Sequence, residues 1–208
     1  DTVRRCIGMF AIAVWDRSQR SLMLIRDRMG EKPLYYGWQG AGSDRAFLFG
    51  SELKALRAHP AFDGQIDRAA LARYVERTVM RGTDSIHRGL RKVPPGGMII
   101  LDSESTTPRE TIYWSVADAA ERGVTDRFTG TPDEAVSELE TILGDAVAQQ
   151  MVADVPLGAF LSGGVDSSTI AALMQARSDE PVRTFAIGFR EKEYNEAPHA
   201  KAVAEHLG

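Results

Sequence analysis

The stretch that decides the fold is FLSGGVDSST, Phe160–Thr169. Two adjacent glycines and an aspartate stand among hydroxyl residues, directly after the apolar run VPLGAFL and directly before the helical pattern SSTIAALMQAR. A polar, glycine-rich turn between a buried strand and a helix is the crevice position where parallel α/β sheets hold ligands. Glycine lets the backbone come close, and successive N–H groups at a helix start favour an anion. Ser162, Ser167, Ser168 and Thr169 add hydroxyl donors, which points to phosphate.

The loop is not a Walker A motif. Gly158 and Gly163 have the right separation, but Gly164 stands where lysine would be required, and G-x-G-x-x-G is not met either. Asp166 is the informative residue, because a carboxylate among phosphate donors repels the ligand unless a cation lies between them. Mg²⁺ bridging Asp166 and phosphate oxygens removes that conflict. A plain glycine turn with a capped helix would also carry Ser-Gly-Gly. The glycine pair, Asp166, the two following serines and the strand-to-helix setting together favour a nucleotide held with Mg²⁺.

Outward from the loop, Thr131, Pro132 and Glu134 form a capping-box start with proline at the first helical position. Ala135, Val136, Leu139, Ile142, Leu143, Ala146 and Val147 follow as one helical stripe. A second apolar strand, VRTFAIGF, and a helix, EAPHAKAVAEHL, complete an alternation that predicts a parallel α/β sheet.

The first third differs. GMFAIAVWD alternates as a strand covered on both faces, and SLMLIRD, LYYGW and AFLFGS follow with tight turns, predicting antiparallel β structure as a meander or a sandwich layer. The helix DRAALARYVERTV has Asp67 as N-cap and Leu71, Tyr74 and Val75 on one face. IHRGLRKVPPGGMIILD reads as a Pro-Pro-Gly-Gly turn and a strand, and residues 103–132 as a polar linker. The predicted division is therefore 1–66, a connecting region 67–130, and 131–208.

At 43% hydrophobic and 26% charged, the chain can bury a core, and no apolar run approaches membrane-spanning length. A net charge of −4 with scattered Lys and Arg gives no basic stripe, which argues against a nucleic-acid partner, and without a spanning run no membrane partner is expected. The single cysteine, Cys6, excludes an internal disulfide, suits a reducing compartment and reads as a small apolar filler. Arg26 and Asp27 read as a buried pair bracing the sandwich, and Glu52 as a helix-start acid. No histidine has metal-like neighbours, so zinc is not expected. Asp1 opens straight into a strand pattern and Gly208 closes a helix, so the chain reads as an internal piece of a longer protein.

SGGVDSS resembles the pyrophosphate-binding loop of N-type ATP pyrophosphatases, and ADVPLGAFLSGGVDSSTIAALM resembles the synthetase domain of glutamine-hydrolysing asparagine synthetases. VRTFAIGF and YNEAPHAKAVAEHLG are similar to that domain's next strand and helix. GMFAIAVWD, RDRMGEKPLYYG and FGSELKAL resemble the second half of the same enzymes' class II glutaminase domain, and GLRKVPPGGMIILD with YW its connecting region.

The resemblance implies an N-terminal-hydrolase-like β sandwich portion over 1–66, then the connecting helix, hairpin and linker. The first part of an adenine nucleotide α hydrolase-like parallel sheet would follow over 131–208. It implies a cytoplasmic ligase, with homodimerisation, that uses ATP and Mg²⁺ to adenylate aspartate and takes ammonia from glutamine. ATP would be cleaved between its α and β phosphates. Ser162, Gly163, Gly164, Ser167 and Ser168 would touch phosphate, Asp166 would hold Mg²⁺, and Phe160, Ile187 and Gly188 would meet the nucleotide. The family's N-terminal cysteine nucleophile has no counterpart among these residues, so no catalytic residue is expected in the chain. The residues leave open a same-build amidotransferase acting on a sugar acid or β-lactam precursor, and a non-catalytic nucleotide-binding module.

Overall fold

The computed structural model describes residues 2–191, 193 and 195–208. It divides into two units, Asp1–Arg127 and Phe128–Gly208. In chain order the first unit holds α1 (Thr2–Arg5), β1 (Ala11–Asp16), β2 (Ser21–Arg26), β3 (Tyr35–Gln39), β4 (Ala46–Gly50) and α2 (Leu53–Arg57). It continues with α3 (Arg68–Arg77), β5 (Leu90–Lys92), β6 (Gly97–Asp102), β7 (Arg109–Ile112) and α4 (Val116–Thr125).

The strands form two sheets, ordered β1-β2-β6-β7 and β4-β3-β5, and every pairing in them is antiparallel. Alternation places Leu24 and Ile99 of the first sheet against Leu34, Tyr36 and Val93, all buried, with Leu22 and Phe47 packed around them. Each such side chain contributes about 1.5–3 kcal/mol by leaving water. A second cluster, Leu48, Leu56 and Leu90, seats α2 on the smaller sheet. β5, β6 and β7 come from the residues read as a connecting region, and β6 lies inside the larger sheet. The stretch read as a linker carries β7 and α4. Its polar sequence reflects exposure rather than lack of structure, since every residue of β7 is exposed and α4 buries none.

Two apolar patterns come out differently from their sequence reading. β1 is an edge strand paired only with β2, so Val14 and Trp15 are 43% and 54% exposed rather than covered. In α3 the Asp67 carboxylate does cap the helix, accepting from Ala70 N at 2.9 Å. The residue it buries is Ala70, while Leu71, Tyr74 and Val75 stay exposed. Trp15, Trp38 and Trp114 all belong to this unit. Trp38 donates from Nε1 to Thr106 O at 2.7 Å and lies under the Arg45 guanidinium.

Arg26 and Asp27 are both buried, but they are not an ion pair. Arg26 instead donates to the carbonyls of Lys32 (2.8 Å), Val93 (2.9 Å) and Gly30. The Asp27 carboxylate accepts backbone N–H from Glu31 (2.8 Å), Lys32 (2.9 Å) and Phe10 (3.3 Å). Burial pushes its carboxyl up, but the N–H groups of Lys32, Glu31, Phe10 and Gly30 outweigh that and hold it below the usual carboxylate range. Each charge is satisfied by main chain, which fixes the RDRMGEKP turn. Cys6, read as a filler, is only half-buried, and its thiol faces Thr2 O at 3.6 Å.

The second unit runs α5 (Pro132–Gln150), β8 (Gly158–Phe160), α6 (Val165–Gln175), β9 (Arg183–Phe185) and α7 (Ala197–Leu207). The capping box forms as its sequence predicts, with Thr131 N and Glu134 Oε2 at 2.7 Å and Glu134 N and Thr131 Oγ1 at 3.3 Å. Only the later part of the α5 stripe packs: Val147 is buried with Leu173 and Met174 of α6, whereas Val136, Leu139 and Ile142 are exposed. β8 and β9 pair in parallel, Phe160 opposite Phe185. They are shorter and less buried than their apolar runs suggest. Ala159 packs toward α5 and α6, leaving Phe160 and Phe185 on the open face. Leu161, Ala171 and Ala200 are buried together, which docks α7 on α6 beside the loop.

Candidate functional site

The loop after β8 turns at Gly163, whose φ of +80° lies in the left-handed region. A Cβ there would stand 2.6 Å from His199 Cβ and 2.8 Å from Ala200 N, so the glycine is also required by the first turn of α7. Gly164 has an extended backbone that any residue adopts. A Cβ on it would meet only Ser162 Oγ, at 3.4 Å, so it contributes open space at the mouth of the loop.

Ser162 and Ser167 close the loop on itself. Their hydroxyls are 2.8 Å apart, Ser162 N donates to Ser167 Oγ at 3.2 Å, and Gly164 N donates to Ser162 Oγ at 3.3 Å. Ser167 Oγ donates to Gly164 O at 3.2 Å, which leaves Ser162 as the donor between the two hydroxyls. Among the described residues, no side chain caps α6. The N–H groups of its first turn therefore point into the loop mouth unspent, with the positive end of the helix dipole behind them. This arrangement can hold an anion.

Asp166 lies in that first turn, exposed. Ser168 stands apart from the serine pair: its hydroxyl is buried and has no hydrogen-bond partner among the described residues. Phe160 is 82% exposed and Ile187 70% exposed, so Ile187 is not a core strand residue. Gly188 is exposed beyond the end of β9, where a Cβ would touch Ala197 Cβ and Asn195 Oδ1 at 3.6 Å.

Phe160 and Ile187 meet at a cavity of about 510 Å³, with Phe185 and Phe189 as further apolar walls. Ser162 and Ser167 line its loop side, and Glu196 is its charged residue. The size and the apolar lining with few polar groups are those of a small-molecule site. Phe185, Phe189 and Glu196 escaped the sequence reading. The two phenylalanines alternate with Ala186 and Gly188 around Ile187, and that alternation was the available signal.

Among the described residues, no three His, Cys, Asp or Glu side chains cluster as a metal cage. A lone carboxylate beside free amides is the setting that suits Mg²⁺, which keeps its waters and takes the rest of its ligands from phosphate. The residues present thus fit a Mg-bound nucleotide.

A family model described as a glutamine amidotransferase domain matches residues 1–114. The chain belongs to the glutamine amidotransferase family. A second family model, asparagine synthase, matches residues 138–208. Asparagine synthetase [glutamine-hydrolyzing] 3 of Bacillus subtilis (strain 168) is 33% identical over 199 residues, 93% of this chain and 30% of the relative. Asparagine synthetase [glutamine-hydrolyzing] 1 of the same organism is 31% identical over 202 residues, 97% of this chain and 30% of the relative. Asparagine synthetase B [glutamine-hydrolyzing] of Escherichia coli (strain K12) is 28% identical over 214 residues, 97% of this chain and 31% of the relative. The chain spans about a third of the length of these relatives. The amidotransferase match takes in both antiparallel sheets, and the glycine loop with its cavity falls inside the asparagine synthase match.

Proposed function

We propose that the chain is the central portion of a glutamine-dependent asparagine synthetase and that its glycine loop holds the phosphates of ATP. The first unit is part of an N-terminal-hydrolase-like glutaminase, and the second begins an adenine nucleotide α hydrolase-like sheet. The carrying observation is the loop itself: unspent amides at the start of α6, a closed Ser162–Ser167 pair and an adjoining aromatic cavity. The order of the two family matches along the chain supports the pairing of activities.

In this reading the whole enzyme converts ATP, aspartate and glutamine to asparagine, glutamate, AMP and pyrophosphate. The cavity between Phe160 and Ile187 takes the adenine, and Ser162, Gly163, Gly164 and Ser167 face the phosphates. Asp166 would hold Mg²⁺, which neutralises phosphate charge when bound. These residues orient the α-phosphate for attack by the aspartate side-chain carboxylate and keep pyrophosphate in place as it departs. Ammonia then displaces AMP. Cytoplasmic location and homodimeric assembly belong to the same proposal.

Pyrophosphate–ATP exchange by the whole enzyme tests it. Exchange that depends on aspartate supports the reading. Exchange with a sugar acid or β-lactam precursor instead would reassign the acceptor, and none with any carboxylate would leave a binding module.

A further inference from the structure

A triphosphate carries several negative charges, yet residues 158–175, from β8 through α6, contain no lysine, arginine or histidine. The loop offers amides and hydroxyls but no cation of its own. The fold brings a further hydrogen-bond donor, an imidazole, from further along the chain. Ala200 is 3% exposed and packs with Leu161 and Ala171, which pins the first turn of α7 against the loop. The residue before it, His199, lies so near that a Cβ on Gly163 would stand 2.6 Å from the histidine Cβ. His199 is nonetheless exposed, so its imidazole is not consumed by that packing. Its backbone is fixed by the buried neighbour, and its exposed side chain starts from a Cβ that adjoins Gly163 of the loop.

We propose that His199 is a substrate-contacting residue that donates a hydrogen bond to the pyrophosphate end of the nucleotide. This rests on the ATP reading above and adds to it a ring N–H donor that the loop lacks. When the aspartate carboxylate oxygen bonds to the α-phosphorus, the bond from that phosphorus to the α–β bridging oxygen breaks. The electron pair leaves with the bridging oxygen on pyrophosphate. An imidazole N–H at Gly163 faces the leaving group and stabilises the charge that accumulates there. The AMP half, seated toward Phe160 and Ile187, does not reach it. His199 therefore serves one product and not the other.

Calorimetric titration of the whole enzyme with inorganic pyrophosphate in the presence of Mg²⁺, and separately with AMP, tests this. His199→Ala should weaken pyrophosphate about tenfold, the worth of one hydrogen bond to a charged group, and leave AMP affinity unchanged. His199→Lys, which restores an N–H donor, should recover most of the loss. Equal pyrophosphate affinity in wild type and His199→Ala overturns the proposal and leaves the ATP reading standing. So does a loss shared equally by AMP, which would mark a role in shaping the loop. Failure of the wild-type enzyme to bind either ligand would instead bring down the ATP reading, and this inference with it.

Discussion

Two turns in this chain combine glycine with aspartate and put them to opposite uses. In RDRMGEKP the Asp27 carboxylate is fully buried and accepts three backbone N–H groups, while Arg26 beside it donates to three carbonyls. In SGGVDSS the Asp166 carboxylate is exposed, and the first-turn amides of α6 have no side-chain cap among the described residues. The same residue types give a closed structural knot in one place and open binding capacity in the other. Motif chemistry alone does not separate the two. What does is whether the donors and acceptors are already spent on one another.

The largest effect should come from breaking the knot. Asp27→Ala strips the acceptor from three part-buried N–H bonds and should lower unfolding stability by about 2–3 kcal/mol in urea titrations. Asp166→Ala should change stability by less than about 0.5 kcal/mol, as expected for an exposed site, while abolishing Mg-dependent ATP binding. Equal destabilisation by the two substitutions would erase the contrast.

Next is Gly163→Ala, which meets both a left-handed φ and the wall of α7. It should cost about 1–2 kcal/mol from the backbone conformation alone, and nucleotide affinity should fall with it. An alanine variant that binds ATP normally would show that the loop opens without that turn.

The smallest is a pH effect. Asp27 is held below its ordinary value of 3.8, so its contribution is fully present above that pH and is lost as pH falls through the lower folded value. Urea midpoints of the wild-type chain should hold down to about pH 4 and fall below it. In Asp27→Asn, which has no carboxylate there to protonate, that part of the acid slope should be missing.

Much of this was legible in the sequence. The capping box at Thr131, the Asp67 cap and the strand-to-helix placement of the loop depend on neighbours a few residues apart, and local spacing encodes them directly. What local spacing does not encode is which faces find a partner. Val14 and Trp15 have the pattern of covered strand residues, but whether a strand lies at an edge depends on pairing order across the sheet. The Arg26–Asp27 pair failed for a related reason. Opposite charges side by side suggest an ion pair, yet the acceptors and donors that satisfied them came from Val93, Phe10 and the turn itself. His199 was invisible as a loop neighbour because it lies 36 positions beyond Gly163 and only the packing of Ala200 closes that gap.

The placement of the tryptophans has a practical consequence for following these effects. All three indoles, Trp15, Trp38 and Trp114, sit in the amidotransferase unit and none lies between Phe128 and Gly208. Tryptophan emission is therefore a private optical channel for the antiparallel half. An Asp27 defect should register in it, whereas melting confined to the loop-bearing half would pass in the dark and need far-ultraviolet circular dichroism to be seen. The chain carries its own means of telling which half has given way first.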